Sequence, residues 1–125
     1  MREIKFRGKR IDNGEWVYGN LVTYFNKPSI QDYSQTNGEI FSVDPETVDQ
    51  YTGLQDKHGN DIYEGDIFVD NSYGEDVGQL IDSVIWNNET GAWVWGKDEV
   101  ALVAESVDTI MVIGNIYDNP NLLEG

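Results

Sequence analysis

Hydrophobic positions at the start of the chain recur every second residue, which is the spacing of a half-buried β-strand. Residues 3–11 alternate in this way, and Asp12-Asn13-Gly14 follows with an Asn-Gly pair that suits the positive φ angles of a tight hairpin turn. Residues 15–25 then alternate again. The pattern predicts an antiparallel β-hairpin at the beginning of the chain.

The segments that follow the hairpin are shorter and more polar. Residues 26–38 lack periodicity and are rich in turn-forming residues, so we expect a long surface loop there. A short strand is expected at residues 39–43. At residues 44–49, Asp44 as N-cap, Pro45 at the first helical position and acids in the first turn predict one turn of helix.

The second half of the chain alternates between short apolar runs and turns rich in glycine and asparagine. A turn is expected at residues 56–60, and strands are expected at residues 62–70, 79–87, 92–96, 100–104 and 110–117. Residues 87–91 suit a hairpin turn that would let Trp86, Trp93 and Trp95 stack. The last strand is apolar on both faces, which favours a central position in its sheet.

Closely spaced short strands joined by glycine turns are typical of small all-β structures. We therefore expect a mainly β fold, a small antiparallel and partly open barrel with an N-terminal β-hairpin and at most one or two short helical turns. The piece at residues 64–69 (Glu-Gly-Asp-Ile-Phe-Val) looks like the strand that opens SH3-like barrels, so we expect the C-terminal half to be SH3-like. Residues 1–125 are expected to form one domain, with a hairpin and loop at 1–50 and a half-barrel at 51–125.

Length and composition narrow the classes to which the chain can belong. Its 125 residues suffice for one core and are too few for two full domains. The absence of cysteine removes disulfides, cysteine zinc sites, iron–sulfur clusters and thiol catalysis. Apolar runs are far shorter than the ~20 residues of a membrane-spanning helix, and the N-terminus lacks the apolar stretch of a secretory signal. We expect a cytoplasmic protein without a membrane partner.

Charge is distributed unevenly along the chain. Residues 1–10 hold five basic residues and one acid, for a net charge of +4, whereas residues 11–125 carry −19. The candidate binding residues of this basic strand are Lys5, Arg7, Lys9 and Arg10. One interpretation is a solvated strand face, paired with carboxylates of the same chain or of a neighbouring subunit. The other interpretation is an edge that contacts phosphates.

Aromatic residues supply a second candidate binding set. The set consists of Trp16, Tyr18, Trp86, Trp93 and Trp95. Small β-barrels often bind single-stranded nucleic acid by stacking bases on such rings. The charge of −19 on residues 11–125 would repel a phosphate backbone, and packing in the core is the competing explanation for these residues.

Groups that could carry catalysis are few. The single histidine, His58, lies in a predicted polar turn, where it would need an orienting partner such as Asp56 or Asp61 and a nucleophile. Glu64 and Asp66 lie two residues apart on a predicted strand and could bind a divalent cation, although chance pairs are common among 23 acids. Phosphate-loop, dinucleotide and nucleophile-elbow motifs are missing from the sequence. We expect no catalytic residue, metal site or cofactor.

Three stretches of the sequence together carry a family resemblance. They are residues 50–66 (Gln-Tyr-Thr-Gly-Leu-Gln-Asp-Lys-His-Gly-Asn-Asp-Ile-Tyr-Glu-Gly-Asp), 4–9 (Ile-Lys-Phe-Arg-Gly-Lys) and 112–120 (Val-Ile-Gly-Asn-Ile-Tyr-Asp-Asn-Pro). In this order they resemble the YopX family of phage and prophage proteins. The resemblance implies a small phage-encoded protein acting in the bacterial cytoplasm, and it brings no catalytic residue with it.

Three functions follow as hypotheses. The first is a non-catalytic accessory protein that binds another protein or a second copy of itself, because the basic strand of one copy could meet the acidic remainder of another. The second is a nucleic-acid-binding small β-barrel, or a DNA mimic that occupies a host protein through its acidic surface. The third is a hydrolase that uses Glu64, Asp66 and neighbouring acids to hold a divalent metal.

Overall fold

The computed structural model describes residues 5–33, 35–70, 80–87, 92–95, 100–101 and 109–123. The fold is mainly β, as predicted, and its strands pair antiparallel. Contacts divide the chain into two compact units, Met1–Tyr51 and Thr52–Gly125. That these units share one core and make a single domain stays a prediction.

The first unit is a β-sheet with one short helix. Its elements are β1 (Phe6–Lys9), β2 (Trp16–Tyr24), β3 (Lys27–Asp32), β4 (Glu39–Ser42), a 3-10 helix (Pro45–Thr47) and the beginning of β5 (Asp49–Gln55). The strand order is β4-β3-β2-β1-β5. The predicted helical turn is confirmed, since Asp44 caps it by accepting a hydrogen bond from the Glu46 N–H at 3.0 Å.

The predicted N-terminal hairpin is confirmed. Strands β1 and β2 pair from Phe6 opposite Gly19 to Lys9 opposite Trp16. In the turn between them Gly14 has a φ of +74°, a left-handed conformation that glycine adopts without strain.

The prediction of a long loop at residues 26–38 is wrong for its first half. Residues 27–32 form β3, which lies between β2 and β4, and Ile30 is fully buried. Two features hid this strand: the tight turn at Phe25 and Asn26 contains no glycine, and Pro28 interrupts the alternation. After the strand, Asp32 holds the remaining loop, because its side chain accepts the Gln35 N–H at 3.1 Å and its carbonyl accepts the Gly38 N–H at 3.1 Å.

The core of the first unit consists of buried Val17, Ile30 and Val43, with Phe6, Phe41 and Val48 packed against them. A bridge between Arg10 and Val43 brings the end of β4 beside the end of β1. At this crossing a Cβ on Gly8 would lie 2.9 Å from the Cβ of Val43, so the position admits only glycine without displacement.

The second unit contains the rest of β5 and a further sheet. Its other elements are β6 (Asp61–Tyr63), β7 (Asp66–Asp70), β8 (Leu80–Asn87), β9 (Ala92–Trp95), β10 (Val100–Ala101), β11 (Ile110–Asn115) and a 3-10 helix (Pro120–Leu123). The sheet has the order β10-β9-β8-β7-β11. Its core is formed by buried Ile62, Phe68, Val84, Trp93 and Ile110.

Two predictions for this unit need correction. The strand predicted at 62–70 is broken by a turn, because Gly65 has a φ of +84° and the buried Asp66 carboxylate accepts the Tyr63 N–H at 2.8 Å. Among the described strands, β11, which was predicted to be central, lies at the end of the sheet order, beside β7. The 56–60 turn contacts β11 through hydrogen bonds from Lys57 N–H to the Ile110 carbonyl and from Val112 N–H to Asp56.

The remaining strand predictions agree with the structure where it describes them. Strands predicted at 79–87 and 92–96 are β8 and β9, and β10 begins the strand predicted at 100–104. Residues 79, 88–91, 96 and 102–104 of these predictions lie outside the described residues. No sheet among the described strands closes into a barrel. None of the helices in the described part of the chain is long and apolar enough to cross a membrane.

Candidate binding surface

One face of β1, together with the residue before it, carries three of the four predicted basic residues, Lys5, Arg7 and Lys9. Because side chains alternate along a strand, Phe6 and Gly8 lie on the core face, and the basic residues between and beside them lie on the other. Tyr18 and Trp16 of β2 lie directly opposite Arg7 and Lys9, and Asp49 of β5 lies opposite Arg7. We call this set the basic–aromatic face, and it comprises Lys5, Arg7, Lys9, Trp16, Tyr18, Asp49 and Tyr51.

Cations on this face are stacked on aromatic rings. The Lys5 Nζ lies 4.7 Å from the centre of the Tyr51 ring. The Arg7 Cζ lies 4.7 Å and the Lys9 Nζ 5.8 Å from the Trp16 ring. Each such contact is worth about 0.5–2 kcal/mol and occupies a ring face that a nucleobase would need for stacking.

The interpretation of the basic strand as a fully solvated face is wrong for Arg7. Its side chain is buried, with 5% of the residue exposed, and its Nε donates a hydrogen bond to Asp49 Oδ2 at 3.1 Å. Asp49 is itself only 2% exposed. Removing one partner of a buried ion pair strongly destabilises a protein, because the group left behind is a buried charge that has lost its counter-charge. Arg7 is therefore a structural residue of this face.

Arg10 is also held within the chain. Its guanidinium donates two hydrogen bonds to the Asp12 carboxylate, at 2.9 and 2.6 Å, and lies 4.3 Å from the centre of the Phe41 ring. The hydrogen bond from Arg10 lowers the pKa of Asp12 below its ordinary value. The first interpretation of the basic strand included pairing with carboxylates of the same chain. Arg7 and Arg10 pair in this way.

Two clefts share Arg10 and Ile11 in their linings. One has a volume of about 430 Å³ and is also lined by Asp12, Lys27, Glu39, Ile40, Phe41 and Ser42. The other has a volume of about 450 Å³ and is also lined by Lys9, Gly14, Asp44 and Pro45. Both volumes are in the range of small-ligand sites, but each cleft is open and mixes acidic with basic groups, which favours contact with a surface over enclosure of a ligand.

The predicted aromatic set divides between the two units. Trp16 and Tyr18 belong to the basic–aromatic face of the first unit. In the second unit Trp86 and Trp93 stack edge to face with ring centres 4.7 Å apart, as predicted, and Trp93 belongs to the core. The side chain of Trp95 lies outside the described residues. Packing in the core, the competing explanation, therefore holds for Trp93.

The candidate catalytic and metal-binding residues, His58, Glu64 and Asp66, lie in or beside turns. His58 is exposed in its turn, and its backbone N–H donates to Asp56. Glu64 lies in the turn that breaks the predicted strand, and the Asp66 carboxylate is engaged with the Tyr63 N–H. Over the described ranges no three His, Asp or Glu side chains are grouped so that they could hold a metal ion.

Asp56 is the buried residue whose role the sequence did not reveal. Its Oδ1 accepts the backbone N–H groups of His58 and Asn60, both at 2.9 Å. Its Oδ2 accepts the Val112 N–H at 2.9 Å and the Asn60 side-chain amide at 3.2 Å. Burial raises the pKa of Asp56, but these hydrogen bonds outweigh it and the net pKa is lowered. Asp56 thus joins two of the stretches that carry the family resemblance, residues 50–66 and 112–120.

The basic residues are concentrated in the first part of the chain, before the last residue of β3. Residues 1–31, which end within β3, hold six basic and three acidic residues, for a net charge of +3. Residues 32–125 hold two basic and 20 acidic residues, for −18. Because no acid occurs between Glu15 and Asp32, the hairpin of β2 and β3 is free of carboxylates up to its last residue. The excess of basic residues thus lies in the part of the chain that contains β1, β2 and most of β3.

The sequence matches the family described as YopX protein over residues 5–124. The chain belongs to the YopX family. Its structure is similar to the crystal structure of protein EF1440 from Enterococcus faecalis, with a TM-score of 0.66 and 25% sequence identity over 98% of this chain and 99% of that chain. No curated protein matches this YopX chain. The comparisons thus establish family and fold.

Proposed function

We propose that this YopX chain is a non-catalytic accessory protein of a phage or prophage that acts by binding protein. Its first partner is a second copy of itself. The basic–aromatic face of one copy contacts the acidic residues 32–125 of another. The observation that carries the proposal is the charge of +3 on residues 1–31 against −18 on the remainder.

The geometry of the face supports protein over nucleic acid as the partner. Binding a phosphate backbone requires several cations that can replace counterions. Here Arg7 is buried against Asp49 and Arg10 is paired with Asp12, so two of the four candidate cations are already engaged by carboxylates of the same chain. The other two are Lys5 and Lys9, which contact aromatic rings. Those lysines carry long apolar stems beside aromatic rings, a mixture that suits the surface of a protein.

Sedimentation velocity of the full chain at about 50 mM and about 0.5 M NaCl tests this proposal. The Debye length falls to about 4 Å at the higher salt, so a contact between oppositely charged surfaces is weakened there. We expect self-association at low salt that Lys5→Glu/Lys9→Glu weakens at least tenfold. The matched control is Lys57→Glu, an exposed lysine in the second unit, which reverses the same kind of charge and should not weaken the low-salt association.

Binding of single-stranded and double-stranded oligonucleotides under the same conditions tests the second hypothesis. We expect no saturable binding at either salt. A monomer at both salt concentrations would contradict the proposed self-contact. Oligonucleotide binding that falls steeply with salt, and is lost in Lys5→Glu/Lys9→Glu, would instead assign the face to nucleic acid.

A further inference from the structure

The tip of the β2–β3 hairpin exposes two aromatic rings. Tyr24 ends β2 opposite Lys27, and Phe25 and Asn26 form the turn between the strands. Phe25 is 80% exposed and Tyr24 45% exposed, and their rings pack edge to face with centres 4.4 Å apart. Five consecutive residue pairs between β2 and β3 hold this tip at the end of a regular ladder. The rings are thus presented on a rigid support.

The turn itself opposes having a phenylalanine at its tip. Phe25 and Asn26 have φ angles of +52° and +63°, so both residues are left-handed. Two-residue hairpin turns of this kind are favoured by Asn-Gly, and a bulky side chain is an outlier in this conformation. An Asn-Gly pair would relieve the strain and remove the exposed ring. A strained and exposed aromatic residue points to a contact outside the hairpin.

Charge and exposed apolar surface indicate what makes this contact. The hairpin has no carboxylate between Glu15 and Asp32, and Lys27 stands beside the tip, so an acidic surface attracts it. In the second unit, whose sequence is strongly acidic, Ile81 and Ile85 are about 40% exposed and lie on the same face of β8. A second copy therefore offers both an acidic surface and exposed aliphatic side chains.

We infer that Tyr24 and Phe25 of one copy pack against Ile81 and Ile85 of β8 in a second copy. This contact and the proposed self-association have the same partner, a second copy of the chain. The contact does not otherwise depend on that proposal, since it uses apolar groups outside the basic–aromatic face. Two different surfaces meet in it, so each copy can engage one neighbour through its tip and another through its β8. Aromatic anchors of this kind commonly dominate the affinity of an interface.

Sedimentation velocity at about 0.5 M NaCl isolates this contact, because salt screens the attraction between the basic and acidic surfaces but not apolar packing. We expect the wild-type chain to self-associate at this salt, and Phe25→Asn/Asn26→Gly to raise the dissociation constant at least tenfold. The variant replaces the turn by the favoured Asn-Gly pair, so its thermal midpoint should equal or exceed that of the wild type. Loss of association therefore cannot be attributed to loss of folding.

Complementation tests which surfaces meet. Ile81→Lys/Ile85→Lys should likewise raise the dissociation constant at least tenfold at high salt. An equimolar mixture of the tip variant and the β8 variant should form a one-to-one heterodimer, because the first keeps its β8 face and the second keeps its tip. A wild-type monomer at high salt, unchanged association of the tip variant, or failure of the mixture to dimerise would each overturn the inference. If Lys5→Glu/Lys9→Glu leaves the low-salt association unchanged while the tip variant weakens the association at high salt, the proposed function fails and this contact stands.

Discussion

Asp56→Ala is the substitution whose effect the structure defines most closely. The carboxylate accepts hydrogen bonds from three backbone N–H groups, of His58, Asn60 and Val112, and from one side-chain amide. After substitution, water can hydrogen-bond to the N–H groups of the exposed turn. The Val112 N–H lies in β11, where Val112 is half-buried and water reaches it less readily. An orphaned buried donor costs about 1–3 kcal/mol and each replaced hydrogen bond about 0.5–1.5 kcal/mol. We expect a loss of about 2–4 kcal/mol in the free energy of unfolding.

Urea unfolding at pH 7 measures this loss, with Glu46→Gln as a control that removes one charge from an exposed side chain. The pH dependence supplies a second check. The pKa of Asp56 is lowered in the folded chain from 3.8, so its contribution is present above about pH 4 and is lost as the pH falls through the folded pKa. The difference between wild type and variant should therefore shrink in acid. A variant within about 0.5 kcal/mol of wild type at pH 7 would refute this account of Asp56.

Two further substitutions test the first unit. Arg7→Ala should destabilise the chain by about 3–5 kcal/mol in urea unfolding, because it removes the guanidinium that pairs with the buried Asp49 carboxylate, and a value under about 1 kcal/mol would contradict the buried pair. Gly8→Ala should cost about 1–3 kcal/mol, since its Cβ would lie 2.9 Å from that of Val43, and an unchanged thermal midpoint would show that β4 can move away.

The parts of the fold that the sequence predicted correctly are those where one strong local signal acted. Alternation on both sides of Asp12-Asn13-Gly14 predicted the β1–β2 hairpin, and Asp44-Pro45 predicted the 3-10 helix. Strand β3 was missed because its turn uses Phe25 and Asn26 in left-handed conformations without glycine. Local propensity cannot reveal a turn whose residues oppose it.

The candidate surface was predictable in its composition and not in its pairing. Lys5, Lys9 and Trp16 were singled out by charge and aromaticity, and the structure brings Lys9 and Trp16 together across two strands. That Arg7 would be buried depends on Asp49, which is 42 residues away in sequence. The role of Asp56 likewise depends on Val112, 56 residues away. Contacts between such distant residues leave no periodic signal in the sequence.

Zero-length carbodiimide coupling on an equimolar mixture of ¹⁴N- and ¹⁵N-labelled chains at low salt tests the central claim most directly. The reagent joins amines to carboxylates only where they touch, and mixed isotopes identify links between different copies. We predict mixed-isotope peptide pairs that join Lys5 or Lys9 of one copy to Asp or Glu side chains of residues 32–125 of another. Coupled peptides of a single isotope throughout, with no link between copies, would contradict the proposal that this YopX protein binds itself through its basic–aromatic face.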